Sequence, residues 1–276
     1  MIKTIIKRIF LMFGYSIRKV AKLSFSSTEP IKKKVEFIKK DSYVIDFKKV
    51  SLEGDLYFLP KYSNWIPLNR DSADKNFYGT IHESTTHKLV AELFKSFKGS
   101  MIQAGAFCGD MLPSFSKSSN GFVYAFEPVL ENYIMAKQTV IQNDLQNVFL
   151  FNTALGNKTE TLRINTGINQ DYHIGGASRI DNVGDLCFSL AIDDITYSHL
   201  ILIQLDVEGF ELNALKGAEK TIKKHRPIIA IEDNKKNCSE FLGLCGYISP
   251  MAIPGLDIWV HKERTDYLQK LKSMKL

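Results

Sequence analysis

Asp206 and Glu208 are the residues whose types and spacing point most directly to chemistry. They follow a short apolar run, Leu200–Leu205, and precede Gly209 and a helical pattern that opens at Phe210. A continuous apolar run of that length reads as a strand buried on both faces. Acids just past such a strand stand where open α/β sheets gather their ligands, at the carboxyl ends of strands. Burying a carboxylate without a partner is costly, so two acids there serve chemistry or ligand binding. Glu208 would also favour the positive end of the following helix, and that simpler role stays open.

A second set lies upstream. Gln103 sits at the end of an apolar strand pattern, Met101–Ala104, which runs into Gly105, Ala106 and Phe107, then Cys108, Gly109 and Asp110. Glycine after a first strand permits a tight turn and close approach of backbone to a ligand. The dinucleotide pattern G-x-G-x-x-G is absent, and Phe107 stands where a pyrophosphate needs bare backbone. Glu127 ends the next strand, 22 residues after Gly105. An acid at about that separation accepts hydrogen bonds from ribose hydroxyls; its simpler role is a cap near the next helix. Glycine turn and acid together favour a nucleoside without a diphosphate. S-adenosylmethionine has that character, since it joins adenosine to methionine and carries no phosphate.

The elements that must position these residues alternate. Strands are expected at Met101–Ala104, Phe122–Phe126, Val148–Asn152, Leu200–Leu205 and Ile228–Ile231. Helices are expected at Glu83–Phe97, Met111–Lys117, Glu131–Gln142 and Phe210–Lys223. Such alternation predicts an α/β fold with a mostly parallel sheet. Thr161–Ile164 reads as an edge strand or hairpin arm, and residues 165–185, rich in Gly, Asn and Asp, as a long loop of the kind that often binds or covers a ligand. Phe241–Leu244 reads as a short helix, Tyr247–Ile253 and Ile258–Val260 as an antiparallel pair, and residues 263–275 as a charged helix. Short strands are expected at Ser42–Phe47 and Asp55–Leu59 within an aromatic-rich segment. The chain thus divides into an arm (1–40), an extension with short strands and a helix (41–98), the α/β domain (99–262) and a terminal helix (263–276).

Eleven lysines and arginines against two glutamates give residues 1–40 a charge of +9, which leaves −3 for the remainder of a chain whose total is +6. The body is mildly acidic, so a nucleic-acid surface on it is not supported. Within the arm, Ile2, Ile5, Ile6, Ile9, Phe13, Ile17 and Val20 share one helical face, opposite Lys3, Lys7, Arg18 and Lys22. That pattern suits a helix lying in a membrane interface, or one packed on protein. No uncharged run is long enough to span a bilayer. Cys108, Cys187, Cys238 and Cys245 show no C-x-x-C spacing, which leaves no thiolate zinc framework and fits a reducing compartment. The expected location is the cytoplasm, including the inner face of the membrane.

The segments AGAFCGD (104–110), VYAFEPVLENY (123–133), NVFLFNTALGN (147–157), LDVEGFELNALKGAE (205–219) and RPIIAIE (226–232) together resemble the FkbM family of S-adenosylmethionine-dependent methyltransferases. The resemblance spans roughly residues 83–262. It implies a Rossmann-like methyltransferase fold, with a mostly parallel seven-stranded sheet and an antiparallel C-terminal strand. It also implies O-methylation, often of saccharides. Two positions depart from the family pattern, which has Asp where Gln103 stands and Lys where Gln204 stands. Gln103 can still accept a hydrogen bond, without charge assistance.

On this reading Gln103, Gly105, Ala106 and Phe107 border the cofactor's amino-acid end, Glu127 holds the ribose, and Thr153 and Ala154 border the adenine. Asp206 contacts the ammonium of the cofactor or the acceptor hydroxyl, and Glu208 is the candidate general base. His173, in the long loop, is the alternative base. Trp259 is core or a wall of the pocket. Asp206, Glu208 and Glu232 could together hold a divalent cation, but helix-start and substrate roles explain the same acids, and no metal is expected. The expected partner is a small-molecule or saccharide acceptor. A second reading, prompted by Gln103 and Gln204, is a non-catalytic binding or membrane-peripheral module on the same fold.

Overall fold

The computed structural model describes residues 47–52, 54–60, 83–167, 175–233, 235–274 and 276. The expected arm, most of the expected strand Ser42–Phe47, and His173 lie outside the described residues. Among the described residues no helix is long and apolar enough to cross a membrane.

Two strands, β1 (Phe47–Leu52) and β2 (Asp55–Pro60), form an antiparallel hairpin. Helix α1 (Ser84–Ser96) leads into β3 (Ser100–Ala104), α2 (Leu112–Ser118), β4 (Val123–Phe126), α3 (Leu130–Gln142) and β5 (Val148–Phe151). After an excursion described below come β10 (Leu200–Leu205), α4 (Glu211–Lys216), α5 (Glu219–His225) and β11 (Ile228–Ile231). Then follow α6 (Ser239–Leu244), β12 (Tyr247–Ile253), β13 (Leu256–His261) and α7 (Thr265–Ser273). The central sheet has seven strands in the order β12-β13-β11-β10-β3-β4-β5. From β11 to β5 neighbours are parallel, and β13 runs antiparallel to both β11 and β12. This is the expected α/β arrangement, a mostly parallel seven-stranded sheet with an antiparallel C-terminal strand.

Strand alternation divides the core between the two faces of the sheet. Met101, Leu202 and Ala230 point to one face, where Leu93 of α1, Phe115 of α2, Ala136 of α3 and Tyr267 of α7 cover them. Ile102, Ile203 and Ile229 point to the other, under Leu215 of α4, Ile222 of α5 and Leu242 of α6. The acids and glycines that follow the parallel strands are thereby brought to one edge of a rigid layer.

Two expectations are corrected. The long loop 165–185 is not all loop: β7 (Glu160–Asn165), β8 (Arg179–Asp181) and β9 (Asp185–Leu190) build a second sheet with β6 (Ala154–Leu155), in the order β6-β9-β7-β8. The helix expected over Phe210–Lys223 is broken into α4 and α5. At the break, a Cβ on Gly217 would meet the Gly156 carbonyl oxygen at 2.0 Å. Asp193 caps the new helix start by accepting from the N–H groups of Lys220 (2.9 Å) and Thr221 (2.7 Å). Periodicity within the segment carries no sign of a cap supplied from so far along the chain.

Candidate active site

The ends of β3, β4 and β10 are laced together by backbone. The N–H groups of Gly105 and Ala106 both donate to the Phe126 carbonyl at 3.0 Å, and Asp206 N–H donates to Ala104 at 3.1 Å. Gly105 has φ 84°, and a Cβ there would lie 1.8 Å from the Asp206 carbonyl oxygen. Only glycine fits at this crossing. Above it opens a hollow of about 490 Å³, its mouth included, lined by Gly105, Glu127, Asn132, Thr153, Ala154, Asp206, Val207, Glu208 and Phe210. Ile164, Gly176, Ser178 and Ile180, from the second sheet and its connection, close another side.

Glu127 is 4% exposed. Its Oε2 accepts from the Phe107 N–H at 2.8 Å, and its Oε1 from the Val129 N–H at 2.9 Å and from Asn132 Nδ2 at 3.4 Å. Burial pushes its carboxyl up to about 7, against the pull of these three donors. A carboxylate offers about four acceptor sites, so Oε2 keeps one for an incoming hydroxyl. Beside it the buried Oδ1 of Asn132 has no hydrogen-bond partner among the described residues. A vicinal diol needs two acceptors of this kind, and the residues present fit a ribose. Asn132 escaped sequence reasoning because an asparagine inside a helix carries no motif.

The other acids form a different setting. Asp206, Glu208 and Glu232 can each bring one oxygen to within 4.8 Å of the others, a set a divalent cation could use. Burial, first of all, raises the Asp206 carboxyl well above the usual carboxylate range; a hydrogen bond with Glu232 and the charges of Glu232, Glu83 and Glu208 add to this. Glu208 has φ 53°, a left-handed conformation that costs a residue with a Cβ. Glu211 holds that turn: its Oε1 accepts from the N–H groups of Val207 (3.2 Å) and Gly209 (3.0 Å). Glu211 was not singled out in the sequence, although an acid in the first turn of a helix is a readable sign of a favourable N-terminal charge.

Of the residues named from sequence, Gly105, Glu127, Thr153, Ala154, Asp206 and Glu208 line this one hollow. Thr153 Oγ1 also donates to the Phe188 carbonyl at 2.8 Å, tying the rim to β9. Gln103, Ala106 and Phe107 do not line it. Ala106 belongs to the core under α1–α3. Phe107 belongs to a buried cluster with Val50, Tyr57, Phe58, Leu59, Cys108 and Met135, while its N–H donates to Glu127. Gln103 is 1% exposed and pairs in register with Gln204, 2% exposed, so both departures from the family pattern fall at one buried spot. Trp259 is half-buried against the second core and is not part of the wall.

A model of the methyltransferase FkbM domain matches residues 103–269, more than half of the chain. Among solved structures, the chain is similar to the methyltransferase FkbM from Methylobacillus flagellatus KT, at 20% identity over 59% of this chain and 43% of that one, with a TM-score of 0.45. This chain therefore spans less than half the length of that protein. It is also similar to a SAM-dependent methyltransferase from Aquifex aeolicus (18% identity, 63% and 87% coverage, TM-score 0.37). A third similar structure is the Pyrococcus abyssi tRNA (uracil-54, C5)-methyltransferase in complex with S-adenosyl-L-homocysteine (9% identity, 79% and 44% coverage, TM-score 0.41). A search of curated proteins gave no match.

Proposed function

The chain belongs to the FkbM methyltransferase family, and on that premise we propose that it transfers a methyl group from S-adenosylmethionine to a hydroxyl of a saccharide or related acceptor. One observation carries this reading: Glu127, Asp206 and Glu208 line a single hollow at the carboxyl ends of the strands. S-adenosylmethionine, when bound, supplies an electrophilic methyl group. Glu127 and Asn132 hold the ribose hydroxyls. Thr153 and Ala154 border the base, and Gly105 lets the backbone approach the amino-acid end. Asp206 orients the ammonium or the acceptor hydroxyl. Glu208 takes the proton from that hydroxyl as the methyl is received, a general-base role worth about 10²–10⁴ in rate. The apolar wall of Ile164 and Ile180 excludes water from the reacting oxygen. Gln103 and Gln204 stand outside the hollow, so they give little support to a non-catalytic reading.

The test is transfer of a labelled methyl group to a panel of free and lipid-linked saccharides. Labelling of at least one acceptor, lost in Glu208→Gln, is expected. Tight cofactor binding with no labelling across the panel would overturn the catalytic assignment. Residues 1–25 are proposed, from their sequence alone, to touch anionic membrane. Sedimentation with anionic vesicles should be lost on deleting them and weakened by salt; unchanged sedimentation after the deletion would refute it.

A further inference from the structure

We infer that the hairpin β1–β2, which lies outside the matched domain, positions the Glu127 carboxylate through Phe107. The inference rests on the reading of Glu127 as the ribose acceptor. Phe107 has φ 46°. A bulky aromatic residue adopts that left-handed conformation only when its surroundings over-determine it. Among the described residues two things do so. Its N–H donates to Glu127 Oε2 at 2.8 Å. Phe107 is 6% exposed and shares one buried cluster with Val50, Tyr57, Phe58 and Leu59 of the hairpin and Met135 of α3. Val50, Tyr57 and Leu59 share one face of the hairpin, while the Phe58 ring lies against Phe47 on the other.

The hairpin is itself fastened to α3. Asn143, just past the end of that helix, accepts from the Leu56 N–H at 2.7 Å and donates to the Leu56 carbonyl at 2.7 Å, in the manner of one more strand residue. Its Nδ2 also donates to the Thr139 carbonyl, and Thr139 Oγ1 donates to the Cys108 carbonyl in the glycine turn. Lys117 of α2 adds an ion pair to Asp55 at 2.6 Å. A continuous set of contacts therefore runs from the hairpin through the cluster around Phe107 to the backbone N–H that grips Glu127 Oε2. With the ring unpacked, the backbone at Phe107 would relax to an ordinary φ and the N–H would leave the carboxylate. Phe107 and the hairpin residues around it are positioning residues, not members of the cofactor's immediate surroundings.

The full chain carries the test, with Leu59→Ala, Asn143→Ala and the conservative Leu59→Met. Affinity for S-adenosylhomocysteine is measured by calorimetry from pH 6 to 9, with circular dichroism to establish that each variant is folded. Loss of one hydrogen bond to a charged group predicts affinity about tenfold weaker in Leu59→Ala and Asn143→Ala. The pH midpoint of binding should also move upwards, because the carboxylate has lost a donor that lowers it. A purely structural role would not move that midpoint. Leu59→Met should restore both. If Leu59→Ala does not fold, Asn143→Ala decides. Folded hairpin variants with wild-type affinity and midpoint overturn the positioning role, provided that Glu127→Ala weakens binding. Equal binding by wild type and Glu127→Ala would instead overturn the ribose reading beneath it.

Discussion

Glu127 and Asp206 stand two strands apart on the rim of one hollow, and both carboxyls are raised by burial, yet their neighbours differ in kind. Donors surround Glu127: two backbone N–H groups and the Asn132 amide fix where its oxygens lie. Asp206 faces acids: Glu232, Glu83 and Glu208 all push against its charge. The first setting favours a carboxylate that holds still and accepts hydroxyls. The second favours a group of acids in which a proton is readily received, because each added proton relieves repulsion. On the proposed function, one hollow carries a gripping half and a proton-handling half.

That contrast is open to attack at several strengths. The largest effect is expected at Glu208→Gln, with turnover down about 10²–10⁴ while affinity for S-adenosylhomocysteine stays near wild type. Labelled methyl transfer read beside calorimetry checks it; parallel loss of both would merge the two halves into one. Next comes pH. Between 4.5, the ordinary value, and about 7, folded Glu127 holds a proton that the unfolded chain has lost. Its contribution to stability is therefore full at acid pH and falls as pH rises through that window, by about 3 kcal/mol in all. Denaturant unfolding at pH 5 and pH 8 should show the fall shrinking in Glu127→Gln. Over the same range cofactor affinity should rise with pH, as ionised Glu127 becomes the better acceptor.

A smaller loss is expected at Glu211→Ala, which frees the turn under Glu208. Stability should drop by about 1–3 kcal/mol, as for a buried hydrogen-bonded acid removed from its donors. Turnover should suffer more than cofactor affinity, since Glu211 serves the proton-handling half; kinetics with both substrates varied would separate the two. The smallest is Thr153→Val. It removes a rim hydrogen bond to Phe188, worth about 1 kcal/mol, and should alter cofactor affinity by less than about tenfold in the same titration.

The middle of the sheet was readable because β3, β4, β10 and β11 are short, mostly apolar runs closed by Gly105, Glu127, Asp206 and Glu232. Leu200–Leu205 and Ile228–Ile231 came out at the residues expected, and β3, β4 and β5 within one residue of them. The acids were readable for the same reason, since they follow those runs directly. What escaped depends on partners distant in sequence. The capping of α5 by Asp193 and the pairing of β9 with β7 are invisible to periodicity within either segment. Phe107 reads as part of a ligand turn, and nothing local says that its ring leaves for a hairpin some fifty residues earlier in the chain. Gln103 and Gln204 look like two separate losses until the register places them side by side.

The central claim is that the Glu127 half of the hollow grips the adenosine of S-adenosylmethionine. Calorimetric titration of S-adenosylhomocysteine at pH 8 into wild type and into folded Glu127→Ala tests it most directly. The account expects binding by wild type and an affinity about 10–100-fold weaker in the variant, as for losing a charged acceptor. No heat of binding to wild type at millimolar ligand, or equal affinity in the two proteins, would contradict it.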